Sequence, residues 1–183
     1  FKWAPFAEDG CTHRWNPLAT VRAEPRYRVG DLLEIGQVLY PSQGGTDNDK
    51  FFNNKARDLF LGLGLFLLET PELPRTIGEL LRQSSGKGQS LSEYLRKLIS
   101  ERAEAGRPLS DVCIDTLNRF MSTSENTLAS IKATFDAPLT IFSDPFVDAA
   151  TSHDDIGLQD LRRKPMSVYV DIPPRKLADA AVV

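Results

Sequence analysis

Cysteine and histidine are scarce in this 183-residue chain, which contains two of each. Cys11 and Cys113 lie far apart in the sequence and do not resemble a disulfide framework, so a reducing compartment such as the cytosol is the simpler interpretation. The two histidines are His13 and His153, and their spacing indicates no metal site. We therefore expect neither a disulfide scaffold nor a bound metal.

Long hydrophobic runs are also absent. The longest continuous apolar stretch, residues 59–68, would span about 15 Å as a helix, which is half of a bilayer core. This length predicts a buried helix rather than a membrane span, and we identify no signal peptide. The chain opens on Phe1 without a methionine and closes on an apolar segment. We therefore expect a fragment of a larger protein.

An excess of positive charge is missing as well. The chain has 22 Lys and Arg against 25 Asp and Glu, for a net charge of -3. As a whole it is not suited to nucleic acid, so any DNA contact needs a local basic patch. Hydrophobic residues make up 41% and charged residues 26%, a mixture typical of a soluble globular domain. The length suits one domain with a real core.

Helical periodicity dominates the centre of the sequence. In residues 49–69 the apolar side chains recur with a period of 3.6, and further leucines occupy the opposite side. This pattern predicts a central helix with neighbours on several sides. Gly62 and Gly64 each cost about 1 kcal/mol relative to alanine in a helix. Their small size would permit the close approach of another helix.

Capping signals predict where other helices begin. A Ser or Thr followed three residues later by Glu marks helix starts at Thr76, Ser90 and Ser122. Together with periodicity, these signals predict helices over 29–40, 76–83, 90–105, 109–121 and 122–142, with one or two short helical turns at 144–151.

The pattern changes near residue 164. Apolar and polar residues alternate over 166–172, which predicts a β-strand that Pro173 and Pro174 end. A further helix is predicted over 175–182. Because one strand cannot pair with itself, we expect a partner near the N-terminus, such as residues 1–4, or a sheet outside this chain. The predicted fold class is mainly α, a compact multi-helix domain with one β-strand.

Several segments suggest chemistry without completing it. Residues 84–90 (SSGKGQS) lack the G-x-x-x-x-G-K-[ST] spacing of a Walker A loop, so they predict a flexible surface loop. The carboxylate pairs Glu8–Asp9 and Asp154–Asp155 are adjacent in sequence, so their side chains diverge and do not form an acid/base pair. Residues 152–155 (SHDD) are interpreted as a helix N-terminus, and their histidine as a surface residue. We expect no complete catalytic site.

The densest basic cluster lies on and beside the predicted helix 90–105. Its members are Lys87, Arg96, Lys97, Arg102 and Arg107. Three glutamates interleave with these cations at a spacing that suits i,i+4 pairs, so a solvated face is the alternative to a binding site. A second basic group, RRK at 162–164, is either a binding group or a helix C-terminus that neutralises its dipole.

Four segments, taken in order, resemble one family: the coupling proteins of bacterial conjugation and type IV secretion, which are TraG/TraD-like hexameric ATPases. The segments are NPL at 16–18, DKFFNNKARDLFLGLGLFLL at 49–68, SIKATFDAPLTIFSDP at 130–145 and PMSVYVDIPP at 165–174. The resemblance covers nearly the whole chain.

The resemblance implies that residues 29–164 are the all-α domain that interrupts a RecA-like motor, with motor-domain flanks at 1–28 and 165–183. In the family, Walker A lies upstream of this stretch and Walker B downstream. We therefore expect the fragment to be no enzyme and to hold no cofactor, with ATP and Mg²⁺ bound by the parent. The parent is expected to be hexameric and anchored in the bacterial inner membrane, with this domain on the cytoplasmic face.

The resemblance also implies partners. They are a relaxase or relaxosome accessory proteins and components of the type IV secretion channel, with DNA as a further candidate. Because the chain is slightly acidic, we place protein docking ahead of the alternative, direct DNA binding without protein specificity; an independent enzyme comes third. The loop 84–89 and the helix 90–105 lie midway between the flanks in sequence. We therefore predict that they form an exposed tip far from the motor.

Overall fold

One long helix organises the molecule in the computed structural model, which describes residues 1–178. This helix, α2 (Asp47–Leu68), is buried almost continuously from Ala56 to Leu67. The helices α1 (Pro25–Leu39), α5 (Asp111–Met121) and α6 (Glu125–Leu139) all pack against it. The predicted central helix is therefore confirmed.

The start of α2 is set by a reciprocal capping box. The hydroxyl of Thr46 accepts from the backbone N–H of Asp49 at 3.2 Å, and the Asp49 carboxylate accepts from the Thr46 N–H at 2.8 Å. These bonds satisfy amides that have no partner inside the helix. Helix α2 consequently begins two residues before the predicted position.

Two glycines let neighbouring helices approach α2 closely. A Cβ atom at Gly62 would lie 2.6 Å from a methyl carbon of Leu117 on α5. At Gly64 it would lie 2.8 Å from a methyl carbon of Leu32 on α1. Both distances are too short for any side chain without movement, so the helix-weakening glycines are explained by packing.

Caps also set the starts of the shorter helices. Helix α3 (Ile77–Ser84) begins after Thr76 and helix α4 (Leu91–Glu104) after Ser90, as predicted. Helix α1 begins earlier than the predicted residue 29, because Pro25 fits the first turn of a helix. The predicted domain boundary between residues 28 and 29 therefore falls inside α1.

The predicted start of a helix at Ser122 is wrong. Its backbone N–H donates to Asn118 O at 2.9 Å and so still closes the end of α5. Helix α6 begins after Ser124 instead. It also stops at Leu139 rather than residue 142, continuing as a 3₁₀ turn, close after Pro138, which lacks a backbone donor.

The predicted pairing of the two ends of the chain is confirmed. Strand β1 (Lys2–Trp3) runs parallel to β2 (Tyr169–Val170), with Lys2 opposite Tyr169. The strand at 166–172 is thus shorter than predicted. Helix α7 (Pro145–Ala150) fits the short helix predicted at 144–151. Of the helix predicted at 175–182, a 3₁₀ turn at Pro174–Lys176 is present, and the part beyond residue 178 lies outside the described residues.

The interpretation of residues 152–155 as a helix N-terminus is wrong. They follow the end of α7, and the Asp155 carboxylate accepts from Arg14 Nε at 2.8 Å and from the Arg14 backbone N–H at 3.0 Å. These bonds lower the pKa of Asp155 to about 2, whereas burial raises the pKa of Asp154. The Asp155 carboxylate is thus bound by an arginine that is distant in the sequence, which local sequence does not reveal.

Candidate partner-binding site

Among the described residues, helix α4 is covered by the bundle on one side. Leu91, Leu95 and Leu98 are buried against the bundle, while the opposite side faces solvent. Its start is fixed by a reciprocal capping box, in which Ser90 N–H donates to the Glu93 carboxylate at 3.2 Å. The helix therefore presents a defined outer face.

That outer face carries charges of both signs. Arg96 and Lys97 are exposed beside the exposed carboxylates of Glu93, Glu101 and Glu104. Lys97 Nζ lies 3.7 Å from Glu101 Oε1, and exposed pairs of this kind contribute only about 0–1 kcal/mol. Among residues 1–178, Arg96 forms no ion pair. The outer face thus has two cations among three carboxylates, and both cations are accessible to a partner.

Lys87 belongs to the turn that leads into α4. It has a φ of 49° and lies between Gly86 and Gly88, whose φ angles are also positive. Its ammonium group sits 5.8 Å from the centre of the Tyr94 ring, on the first turns of α4. The Tyr94 hydroxyl donates to the side-chain oxygen of Gln83. Residues 85 and 87–90 are exposed, as predicted for the surface loop 84–90. Ser84 and Gly86 are buried instead, and contacts tie the loop to α4.

Arg102 was predicted to be exposed, and this is wrong. The side chain is half-buried, and it donates to Glu69 O at 2.8 Å and to Arg107 O at 2.9 Å. The last carbonyl groups of a helix have no partner within it, and a guanidinium satisfies them well. Arg102 therefore anchors the end of α4 to the end of α2.

The carboxylate of Glu69 is the centre of this junction. It accepts from the backbone N–H of Ser110 at 2.8 Å and forms an ion pair with Arg28 at 2.6 Å. The Glu69 and Arg28 side chains are only 12% and 14% exposed. The junction joins the starts of α1 and α5 to the ends of α2 and α4. Sequence reasoning missed it, because no shared period connects residues 28, 69, 102 and 110.

The predicted basic cluster therefore divides into two groups. Lys87, Arg96 and Lys97 lie on the exposed part of α4 and the turn before it, whereas Arg102 and Arg107 lie at the junction. Arg107 forms an ion pair with Glu72. The junction adjoins the start of α1, where the N-terminal segment enters the bundle. The C-terminal end of α4 consequently does not lie at a tip remote from that segment.

Metal ligands and thiols are scarce in the described part of the chain. Within residues 1–178, no group of three or more His, Cys, Asp or Glu could hold a metal ion. In the same range, no helix is both long and apolar enough to cross a membrane. Cys11 is exposed, and Cys113 is buried, which raises the pKa of its thiol to about 12.

The architecture is a helical domain in which residues 2–3 and 169–170 form a parallel strand pair. The charged helix α4 lies on its surface. The family model for type IV secretory system conjugative DNA transfer matches residues 1–182. The chain belongs to this family, and the predicted kinship with conjugative coupling proteins is confirmed.

Three similar relatives carry the name Protein VirD4. Those of Agrobacterium fabrum and Rhizobium rhizogenes are each 27% identical over 181 residues, which is 97% of this chain and 25% of the relative. That of Rhizobium radiobacter is 25% identical over 182 residues, which is 97% of this chain and 24% of the relative. The chain spans about a quarter of the length of the curated relatives it matches.

Proposed function

We propose that this chain is the domain of a conjugative coupling ATPase that recruits the DNA–relaxase complex to a type IV secretion channel. Its partners would be a relaxase or relaxosome accessory proteins together with components of the channel. Membership in the family supports a role in conjugative DNA transfer. The observation that carries the finer proposal is the outer face of α4, where Arg96 and Lys97 are exposed among carboxylates.

A mixed face favours a protein partner over DNA. Three carboxylates beside two cations would repel a continuous row of phosphates, whose binding depends on neutralisation by basic side chains. A protein with alternating charges can complement both signs at once, which favours specificity and rapid association. The α4 face therefore fits protein docking better than it fits direct DNA binding.

An apolar groove lies beside the start of α4 and adds a second element of recognition. Its volume is about 260 Å³, and its lining includes Leu91, Phe120 and Leu128, with Glu125 and Lys132 also present. The centre of a protein interface is commonly apolar with a polar rim. A partner side chain in this groove would add apolar contact to the charge pairs of the outer face.

Binding of purified relaxase complex to the chain tests this proposal. We expect the double change Arg96→Glu with Lys97→Glu to weaken binding by about tenfold or more, because hydrogen bonds to charged groups contribute about tenfold or more each. The matched control is Arg26→Glu with Arg75→Glu, which alters net charge equally at two exposed positions outside α4. Equal losses in both variants would mean that net charge, rather than the α4 face, governs binding.

We also propose that ATP and Mg²⁺ act in the remainder of a hexameric parent, anchored in the inner membrane, with this chain on its cytoplasmic face. The support is that the 183 residues contain no G-x-x-x-x-G-K-[ST] sequence. Titration calorimetry of the chain with Mg²⁺ and ATP should give no binding. Tight, magnesium-dependent binding would contradict the proposal.

A further inference from the structure

Positive charge is unevenly distributed along the chain. Residues 1–157 contain 17 Lys and Arg against 22 Asp and Glu, whereas residues 158–183 contain five against three. The segment around β2 therefore carries net positive charge within a chain that is acidic overall. Residues 14–28 do so too, with four Arg against one Glu, but there Arg14, Arg22 and Arg28 are paired with carboxylates. A local basic patch of this kind is where an anionic polymer would be attracted.

The centre of the cationic segment is a pair of adjacent arginines. Arg162 and Arg163 are both exposed at the end of a 3₁₀ turn, Leu158–Arg162. The nearby carboxylate of Asp160 lies 2.7 Å from Lys164, and its pKa is lowered chiefly by Lys164 with a smaller contribution from Arg163. In the described range 1–178, neither arginine forms an ion pair or a side-chain hydrogen bond.

Neutralisation of a helix dipole does not account for these two side chains. The turn is five residues long, so few peptide dipoles are aligned in it. Where an arginine does cap a helix in this protein, as Arg102 does, its guanidinium donates to backbone carbonyls. With the residues that the structure describes, Arg162 and Arg163 make no such bonds. Their guanidinium groups are available to a ligand from outside.

We infer that Arg162 and Arg163 form a contact site for the phosphodiester backbone of DNA. The planar guanidinium presents two parallel N–H donors that match two phosphate oxygens, and phosphate contacts of this kind require no particular base sequence. An anionic membrane is a poorer match, because stable electrostatic attachment to lipid headgroups takes clusters of about four to eight basic residues. The site is separate from the α4 face and does not depend on its role.

The inference is tested by fluorescence anisotropy of the 183-residue chain with a labelled single-stranded oligonucleotide of mixed sequence. We expect salt-sensitive binding that Arg162→Glu with Arg163→Glu weakens by about tenfold or more at low salt. The slope of log affinity against log salt should fall by about 0.7 for each lost phosphate contact. Arg162→Gln with Arg163→Gln should give a smaller loss in the same direction, and circular dichroism checks that both variants are folded.

Arg26→Glu with Arg75→Glu is the matched control, since it changes the net charge equally at exposed positions outside both surfaces and should leave DNA binding unchanged. An equal loss in this control would overturn the inference, as would undetectable DNA binding by the unmodified chain.

Vesicles containing phosphatidylglycerol form a separate arm of the experiment. Vesicle binding that requires the two arginines, without DNA binding, would assign the site to lipid headgroups and overturn the inference.

Discussion

Helices α2 and α4 begin in the same way and serve different purposes. Each starts with a reciprocal capping box, formed by Thr46 and Asp49 in α2 and by Ser90 and Glu93 in α4. The second half of α2 is apolar around most of its circumference, and the helix packs against α1, α3, α5 and α6, whereas α4 is apolar on one side. Local capping signals therefore establish where a helix begins, while the number of its apolar faces decides whether it becomes core or surface.

The largest expected effect lies on the α2 side of this comparison. Leu63 is fully buried, so Leu63→Ala should lower the free energy of unfolding by about 2–5 kcal/mol. Val38 on α1 is 78% exposed, and Val38→Ala should change the free energy of unfolding by less than about 0.5 kcal/mol. Urea denaturation measures both values. A loss at Leu63 no larger than that at Val38 would show that α2 is not the core.

An intermediate effect should separate the two ends of α4. Arg102→Ala removes the donor from Glu69 O and Arg107 O, and should cost about 1–3 kcal/mol of stability. Arg96→Ala, on the exposed part of the same helix, should cost less than about 0.5 kcal/mol. Comparable denaturation midpoints for the two variants would contradict the anchoring role of Arg102.

A smaller effect should appear only in acid. The pKa of Asp155 is depressed to about 2 by its bonds to Arg14, so this contact stabilises the fold above the ordinary Asp pKa. The stabilisation should disappear as pH falls through the range from about 4 to about 2. Asp155→Asn should therefore make the melting temperature less dependent on pH in that range than in the unmodified chain.

Asp115→Asn provides the control, because Asp115 is exposed and forms no ion pair within residues 1–178. Its melting curve should follow that of the unmodified chain at each pH. If the melting temperatures of Asp155→Asn and Asp115→Asn depended on pH in the same way, the Arg14–Asp155 contact would not be the cause of the lost stability in acid.

Much of the fold could be predicted from the sequence, because periods and caps are local properties. The apolar pattern around Leu63 predicts the central helix, and alternation before Pro173 predicts the strand that pairs with Lys2 and Trp3. Predictions failed where distant side chains decide the outcome. Neither the Glu69 junction nor the Arg14–Asp155 contact has a local signature.

The candidate site was predictable in part for the same reason. The spacing of basic residues locates the exposed face of α4, because charge periodicity on a helix is local. It does not distinguish Arg102 from Arg96, since the difference arises from the carbonyl groups at the end of α2. Burial of a long cationic side chain depends on the three-dimensional neighbourhood rather than on its position in a repeat.

The most direct test of the central claim is the frequency of conjugative DNA transfer in cells that carry the full-length parent with Arg96→Glu and Lys97→Glu. Loss of two accessible cations from the α4 face should reduce transfer by about tenfold or more at unchanged protein abundance. Transfer at the unmodified frequency, with the variant present at normal abundance, would contradict the assignment of α4 as the recruiting surface.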